Sequence, residues 1–242
     1  MLRKMAARKC IDAFNERSAS LLLILLLCAD LAFVVLHSIN ALTPILDHPL
    51  LSLKMDQGYP ELYGYLKFGW IIILLFCLSL RNWSFHFVAW ALVFTYLLLD
   101  DALQIHERLG TPVAEQLGFV PAFRLRRKDF GELAVSAAAG LLPLPILVWA
   151  YRSGSQMFRK VSQDIIILIL VLVFFGVVID MADIAIRLGK GVGFVLGVIE
   201  DGGEMIAVSL ILWYVFLRTV RDDSADCYLC DLLRIVLARR ST

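Results

Sequence analysis

Ser20-Leu-Leu-Leu-Ile-Leu-Leu-Leu-Cys-Ala-Asp30-Leu-Ala-Phe-Val-Val-Leu-His37-Ser-Ile39 runs for 20 residues with a single carboxylate inside it. At about 1.5 Å per residue this is the length that crosses the hydrocarbon of a bilayer. Backbone polar groups find no water there, so the segment has to be helical. Five further stretches share the pattern: Tyr65 to Leu80, Trp83 to Ile105, Phe130 to Tyr151, Ile165 to Ile186 and Val192 to Leu217. The expected fold is an all-α integral membrane protein, a bundle of six transmembrane helices. Composition agrees, with 60% hydrophobic and 19% charged residues in 242. A soluble domain averages roughly 25% charged, so the composition excludes a disordered chain and argues against an ordinary cytosolic enzyme. The net charge of +1 gives no sign of a nucleic-acid partner.

Spans two and three are joined only around Arg81-Asn82 and form a hairpin, while Pro143 and Pro145 are expected to kink span four. Basic residues set the orientation. Arg3, Lys4, Arg8, Lys9 and Arg17, then Arg81, then Arg152, Arg159 and Lys160, then five arginines after span six total 14 on one side, against nine on the other. Both termini are therefore expected in the cytoplasm. The chain divides into a basic N-terminal segment (1–19), the membrane domain (20–218) and a C-terminal tail (219–242), whose Asp231 to Arg240 stretch is amphipathic and basic. The first span reads as a signal anchor, without a small-x-small cleavage site.

On this topology the acidic residues fall in one layer. Asp30 in span one, Asp100, Asp101 and Glu107 in and after span three, Glu132 at the start of span four, Asp180 and Asp183 in span five, and Glu200, Asp201 and Glu204 in span six all occupy the outer half. Asp180 and Asp183, three apart, share a helix face, as do Glu200 and Glu204, four apart. Asp100, Gln104 and Glu107 share another, and His106 joins them only if the helix loosens nearby. Gly202-Gly203 either admits a close neighbour or breaks span six. An aspartate at mid-span costs about 2.5–3.5 kcal/mol on insertion scales, so such groups face an interior and have partners. Arg187 can neutralise one of Asp180 and Asp183; the rest require protons or a bound cation. Carboxylates suit Ca²⁺, Mg²⁺ or Mn²⁺, and His106 widens the choice to Zn²⁺ or Fe²⁺. The expected ligands are Asp100, His106, Glu107, Asp180, Asp183, Glu200 and Glu204, with Asp30, Asp101, Gln104, Glu132, Arg187 and Asp201 supporting them.

Cys227 and Cys230 have the spacing of half a zinc or redox site, without a second half. Asp180-x-x-Asp183 lacks the rest of the prenyltransferase pattern, and span six has no core lysine for a retinal Schiff base. His37 and His106 as a haem pair have no further support.

Leu99-Asp100-Asp101-Ala-Leu-Gln-Ile-His106-Glu107 resembles a Leu-Asp-Glu-x-x-x-x-His-Glu segment of uncharacterised polytopic membrane proteins of bacteria, with Asp101 in place of Glu. The resemblance implies a bacterial inner membrane and no particular activity. Three functional expectations stand: a divalent-metal site, serving an enzyme on a lipid-linked substrate where the protein is an enzyme at all; a cation- or proton-coupled transporter; and a scaffold whose acids only pair helices. The bilayer is the expected environment, and a lipid or small ion the expected substrate.

Overall fold

A computed structural model describes residues 2–46, 48–122, 124–186 and 190–220, with side chains from Arg17 onward except those at 183, 185, 186 and 190. The expectations for the tail beyond Val220, for Cys227 and Cys230 and for Arg187 lie outside the described residues. The described chain is helical and contains no strand: α1 (Leu2–Leu42), α2 (Tyr59–Arg81), α3 (His86–Leu103), α4 (Ile105–Gln116), α5 (Arg127–Leu141), α6 (Leu144–Ser153), α7 (Gln156–Val173), a π-helical turn (Phe174–Ile179), α8 (Asp180–Ile186) and α9 (Lys190–Val220). Five helical stretches are long and apolar enough to cross a membrane: Arg17–Leu42, Tyr59–Arg81, His86–Leu103, Arg127–Ser153 and Gln156–Ala182. The sixth expected span lies in α9, which packs against α1, α2 and α7.

Pairwise contacts give the directions. His37 stacks on Phe194 and Asp30 meets Ser209, so α1 and α9 are antiparallel. Lys67 reaches Met205 and Arg81 reaches Thr219, so α2 runs parallel to α9. Asp164 meets Tyr214 while a Cβ on Gly203 would meet the Phe175 ring, so α7 runs back along α9. One end of the bundle therefore gathers the close of α3, α4, the start of α5, α8 and the start of α9. The other gathers the α2–α3 and α6–α7 turns and the end of α9. Between them lies a core of Ile71, Leu75, Phe87, Trp90, Phe94, Phe158, Ile165, Ile211, Tyr214 and Val215. Leu21, Leu25, Leu31, Ile73, Leu80, Ile146, Leu170 and Ile206 point outward, as lipid-facing residues do.

The structure refines the expected boundaries. Span four is two helices, α5 and α6, separated at Leu142-Pro143, because neither proline carries an amide to continue the ladder. Span three loosens at Gln104, two residues before His106, where the backbone enters the left-handed region (φ 52°) and α4 begins. Gly202-Gly203 does not break α9, which runs unbroken through both. They serve the other purpose, close approach: a Cβ on Gly203 would overlap the Phe175 ring, and one on Gly202 would lie 3.2 Å from a Val34 methyl. Helix α4, with Pro112 inside it, was not anticipated. It packs on α5 through Gly110 and Gly131, and a Cβ on Gly131 would overlap the Gly110 carbonyl.

That contact predicts the effect of two alanines on one helix. Gly131→Ala forces α4 and α5 apart and should cost about 1–3 kcal/mol, the usual range for overpacking. Gly140→Ala, with nothing within 4 Å, should be neutral or stabilising. Thermal unfolding of detergent-solubilised protein distinguishes the two; equal effects would contradict the packing.

Candidate functional site

The polar groups sit at successive depths, beginning at the end with α4 and α8. The left-handed turn at Gln104 brings His106 back onto Asp100. One Asp100 oxygen accepts from the His106 backbone amide (3.1 Å) and the Tyr96 hydroxyl (3.2 Å); the other lies 2.9 Å from His106 Nδ1. A carboxylate only accepts, so Nδ1 carries the hydrogen of this contact and Nε2 of the neutral ring holds the lone pair. Neighbouring Glu61 accepts from the Gln57 amide and the Tyr65 hydroxyl, and Tyr65 also lies 3.4 Å from the Asp101 carbonyl.

The remaining acids surround this pair. Asp101 is within electrostatic range of Glu61, Asp100, His106 and Glu107. Glu204 is within range of Asp101, Asp180, Glu200 and Asp201. Its carboxylate rests on the π-helical turn at Gly176, where a Cβ would overlap it. Helices α3, α4, α8 and α9 thus bring expected acids to one end, where Glu61 of α2, not singled out in the sequence, joins them, and Lys54 is within electrostatic range of Asp201. Among the described residues no three His, Cys, Asp or Glu side chains are placed to hold a metal ion. The side chain of Asp183 lies outside the described residues, so its ligand role has no geometry. Glu132 stands apart, with Lys128 2.8 Å away, and Gln104 serves as the turn residue.

Asp30 is at mid-bundle with a partner that the sequence reading did not identify. Lys67 Nζ is fully buried, 2.9 Å from Asp30 Oδ1, and donates to the Met205 carbonyl (2.8 Å) and Ser209 Oγ (3.2 Å). Ser209 donates in turn to Asp30 Oδ2 at 2.6 Å, and the Tyr63 ring lies 4.6 Å from the ammonium. All three ammonium donors are used, as burial of a charge demands. Lys67 was legible as the one base inside the Tyr65 to Leu80 run. Counting it among loop charges, and seeking only arginines as partners, hid it.

Deeper still, α7 begins at Gln156 rather than Ile165, which places Asp164 within the bundle. It is buried and accepts from the Tyr214 hydroxyl at 2.7 Å. One turn on, Arg218 is buried beside the Tyr214 ring, with Nε and Nη2 lacking a hydrogen-bond partner among the described residues. The apolar run from Ile165 does not include Asp164, because the helix extends nine residues before that run begins.

A double-mutant cycle tests the central pair. Asp30→Asn or Lys67→Met alone leaves a buried partner uncompensated and should cost about 3–5 kcal/mol. The double variant should lose clearly less than the sum, measured by unfolding in detergent. Additive losses would show that the groups do not interact.

No curated protein and no solved structure matches the chain. Residues 19–220 match a family described as a domain of unknown function, DUF8692, in line with the Leu99 to Glu107 resemblance to membrane proteins without an established activity. The match spans the whole described bundle from the first apolar helix to the end of α9, and the chain belongs to that family.

Proposed function

We propose that this protein is a proton-coupled transporter of a small solute, with six spans, α9 being the sixth, and both termini in the cytoplasm of a bacterial inner membrane. The carrying observation is the succession of polar groups down α9. Glu204 stands in the acid layer, Ser209 in the Asp30–Lys67 group, Tyr214 on Asp164, and Arg218 near the far end. At 1.5 Å per residue the axial rise from Glu204 to Ser209 and on to Tyr214 is about 7.5 Å each, and each step also turns part-way around α9, so the proposed path requires water to enter between these groups. Acids confined to one end would offer access from one side only. These groups supply the continuation that a carrier requires. The excess of bases on the side of the termini supports the orientation.

The mechanism follows from charge pairing. A proton reaches the acid layer through His106 Nε2 or an acid near it and passes to Asp30. Neutral Asp30 no longer compensates Lys67, and a buried ammonium without its carboxylate is expensive. Helices α1, α2 and α9 must then repack or hydrate until the proton leaves toward Asp164. The pair thereby links protonation to helix movement.

Liposomes loaded with a pH-sensitive dye test the reading. With a low-molecular-mass cell extract added outside, wild-type protein should admit protons down an imposed gradient. Asp30→Asn and Glu204→Gln should cut the rate by about tenfold or more, since each removes a relay group. Glu115→Gln, at an exposed carboxylate paired with Arg127, should not. Proton entry no faster than in empty liposomes would overturn it.

A second reading rests on the surplus of carboxylates over Lys54 and His106 in the outer layer. Hard oxygen donors in surplus favour a divalent cation such as Ca²⁺, Mg²⁺ or Mn²⁺. Near-stoichiometric metal in purified protein, lost in folded Glu204→Ala and Asp183→Ala, would establish this reading. Metal-free wild type after reconstitution would leave protons as the compensating charge.

A further inference from the structure

Beside the acid layer, three polar groups of mixed sign meet over one face of α9. His37 is buried and stacks on Phe194, ring centroids 5.6 Å apart. Its Nδ1 accepts the Leu53 amide at 3.1 Å, and a backbone amide can only donate. The neutral ring therefore carries its hydrogen on Nε2, and that buried atom has no hydrogen-bond partner among the described residues. One turn down α9, the Lys54 side chain lies on Gly197, in the space a Cβ would fill. One further turn down, Asp201 Oδ2 is a buried acceptor, also without a partner among the described residues. Lys54 is within electrostatic range of both His37 and Asp201. Phe194, Gly197, Asp201 and Glu204 follow at spacings of three, four and three, so they share one face.

Leaving a buried donor or acceptor unmade costs about 1–3 kcal/mol, and here one of each flanks a cation. We infer that Lys54, His37 and Asp201 form a subsite for a small zwitterion. Its anionic group is held by the Lys54 ammonium and the His37 Nε2–H, and its cationic group by Asp201 with the Glu204 carboxylate beyond. A simple anion would meet the carboxylates, and a simple cation would meet Lys54. Only a solute carrying both charges a few ångström apart satisfies both orphaned atoms and both fields. Free α-amino acids have this chemistry, and so does the phosphoethanolamine headgroup of a lipid. The inference rests on the transport reading in giving the solute its role, but the binding is measurable without transport.

Calorimetric titration of the full chain in phosphatidylglycerol nanodiscs tests it, with L-alanine and phosphoethanolamine as zwitterions and acetate and methylammonium as single-charge controls. Zwitterions should bind and the controls should not. Lys54→Ala and Asp201→Asn should each weaken binding by about tenfold or more, the scale of one lost charge-assisted hydrogen bond. Gly197→Ala should also weaken it, because the new methyl displaces a flexible lysine tip, while the thermal unfolding temperature stays at the wild-type value. Alanine binding would identify a free amino acid as the ligand class, and phosphoethanolamine binding alone a lipid headgroup. Acetate binding as tightly as alanine, no binding of either zwitterion, or affinity unchanged in Lys54→Ala would overturn the inference. Loss of zwitterion binding as a finding, with proton entry into liposomes intact, would remove this subsite and leave the transport reading standing.

Discussion

A lysine ammonium with no contact to solvent sits near the middle of the bundle, and much of the arrangement follows from its needs. Lys67 satisfies its three donors with Asp30 from α1 and with Met205 and Ser209 from α9. Each of those groups belongs to a helix remote in sequence, so the contact sets the mutual height of α1, α2 and α9. A charge pair of this kind is weak as a source of stability, because desolvation offsets most of the attraction. What it supplies is register. An apolar interface tolerates sliding by a turn, whereas a slip here would leave an ammonium and a carboxylate bare.

With the register fixed, the outer acids take their places. Glu204 immediately precedes Met205, lies just over one turn before Ser209, and meets α7 where that helix becomes a π-helical turn. The wider turn and Gly176 together leave room for a carboxylate between two helices. A similar accommodation occurs on α3, where Gln104 in the left-handed region turns the chain so that His106 closes on Asp100. Both irregularities fall beside titratable groups, which is where backbone departures from regular helix concentrate in functional sites.

The spans were legible because hydrocarbon leaves the backbone one choice, and uninterrupted apolar runs such as Leu21 to Ala29 have no other use. The break in span four was legible from Pro143, and the gathering of Asp100, Asp180, Glu200 and Glu204 at one end of the bundle from helix direction alone. What escaped depended on contacts between distant segments. Asp30 and Lys67 are 37 positions apart, and nothing local in either apolar run marks the other as its partner. Helix α4 was hidden because Gly110 and Pro112 are poor helix formers, and only the close approach of α5 gives Gly110 a packing role. Asp164 was lost at a boundary, since an apolar run does not reveal how far a helix extends beyond it.

The central claim is that the outer carboxylates exchange protons with the Asp30–Lys67 group, which infrared difference spectroscopy in lipid bilayers tests directly. Lowering the pH should produce the carbonyl band of newly protonated carboxyl groups in an apolar setting. That band should shrink in Glu204→Gln and change again in Asp30→Asn, as coupled sites require. A spectrum without such a band over the whole range in which the protein stays folded would contradict the account.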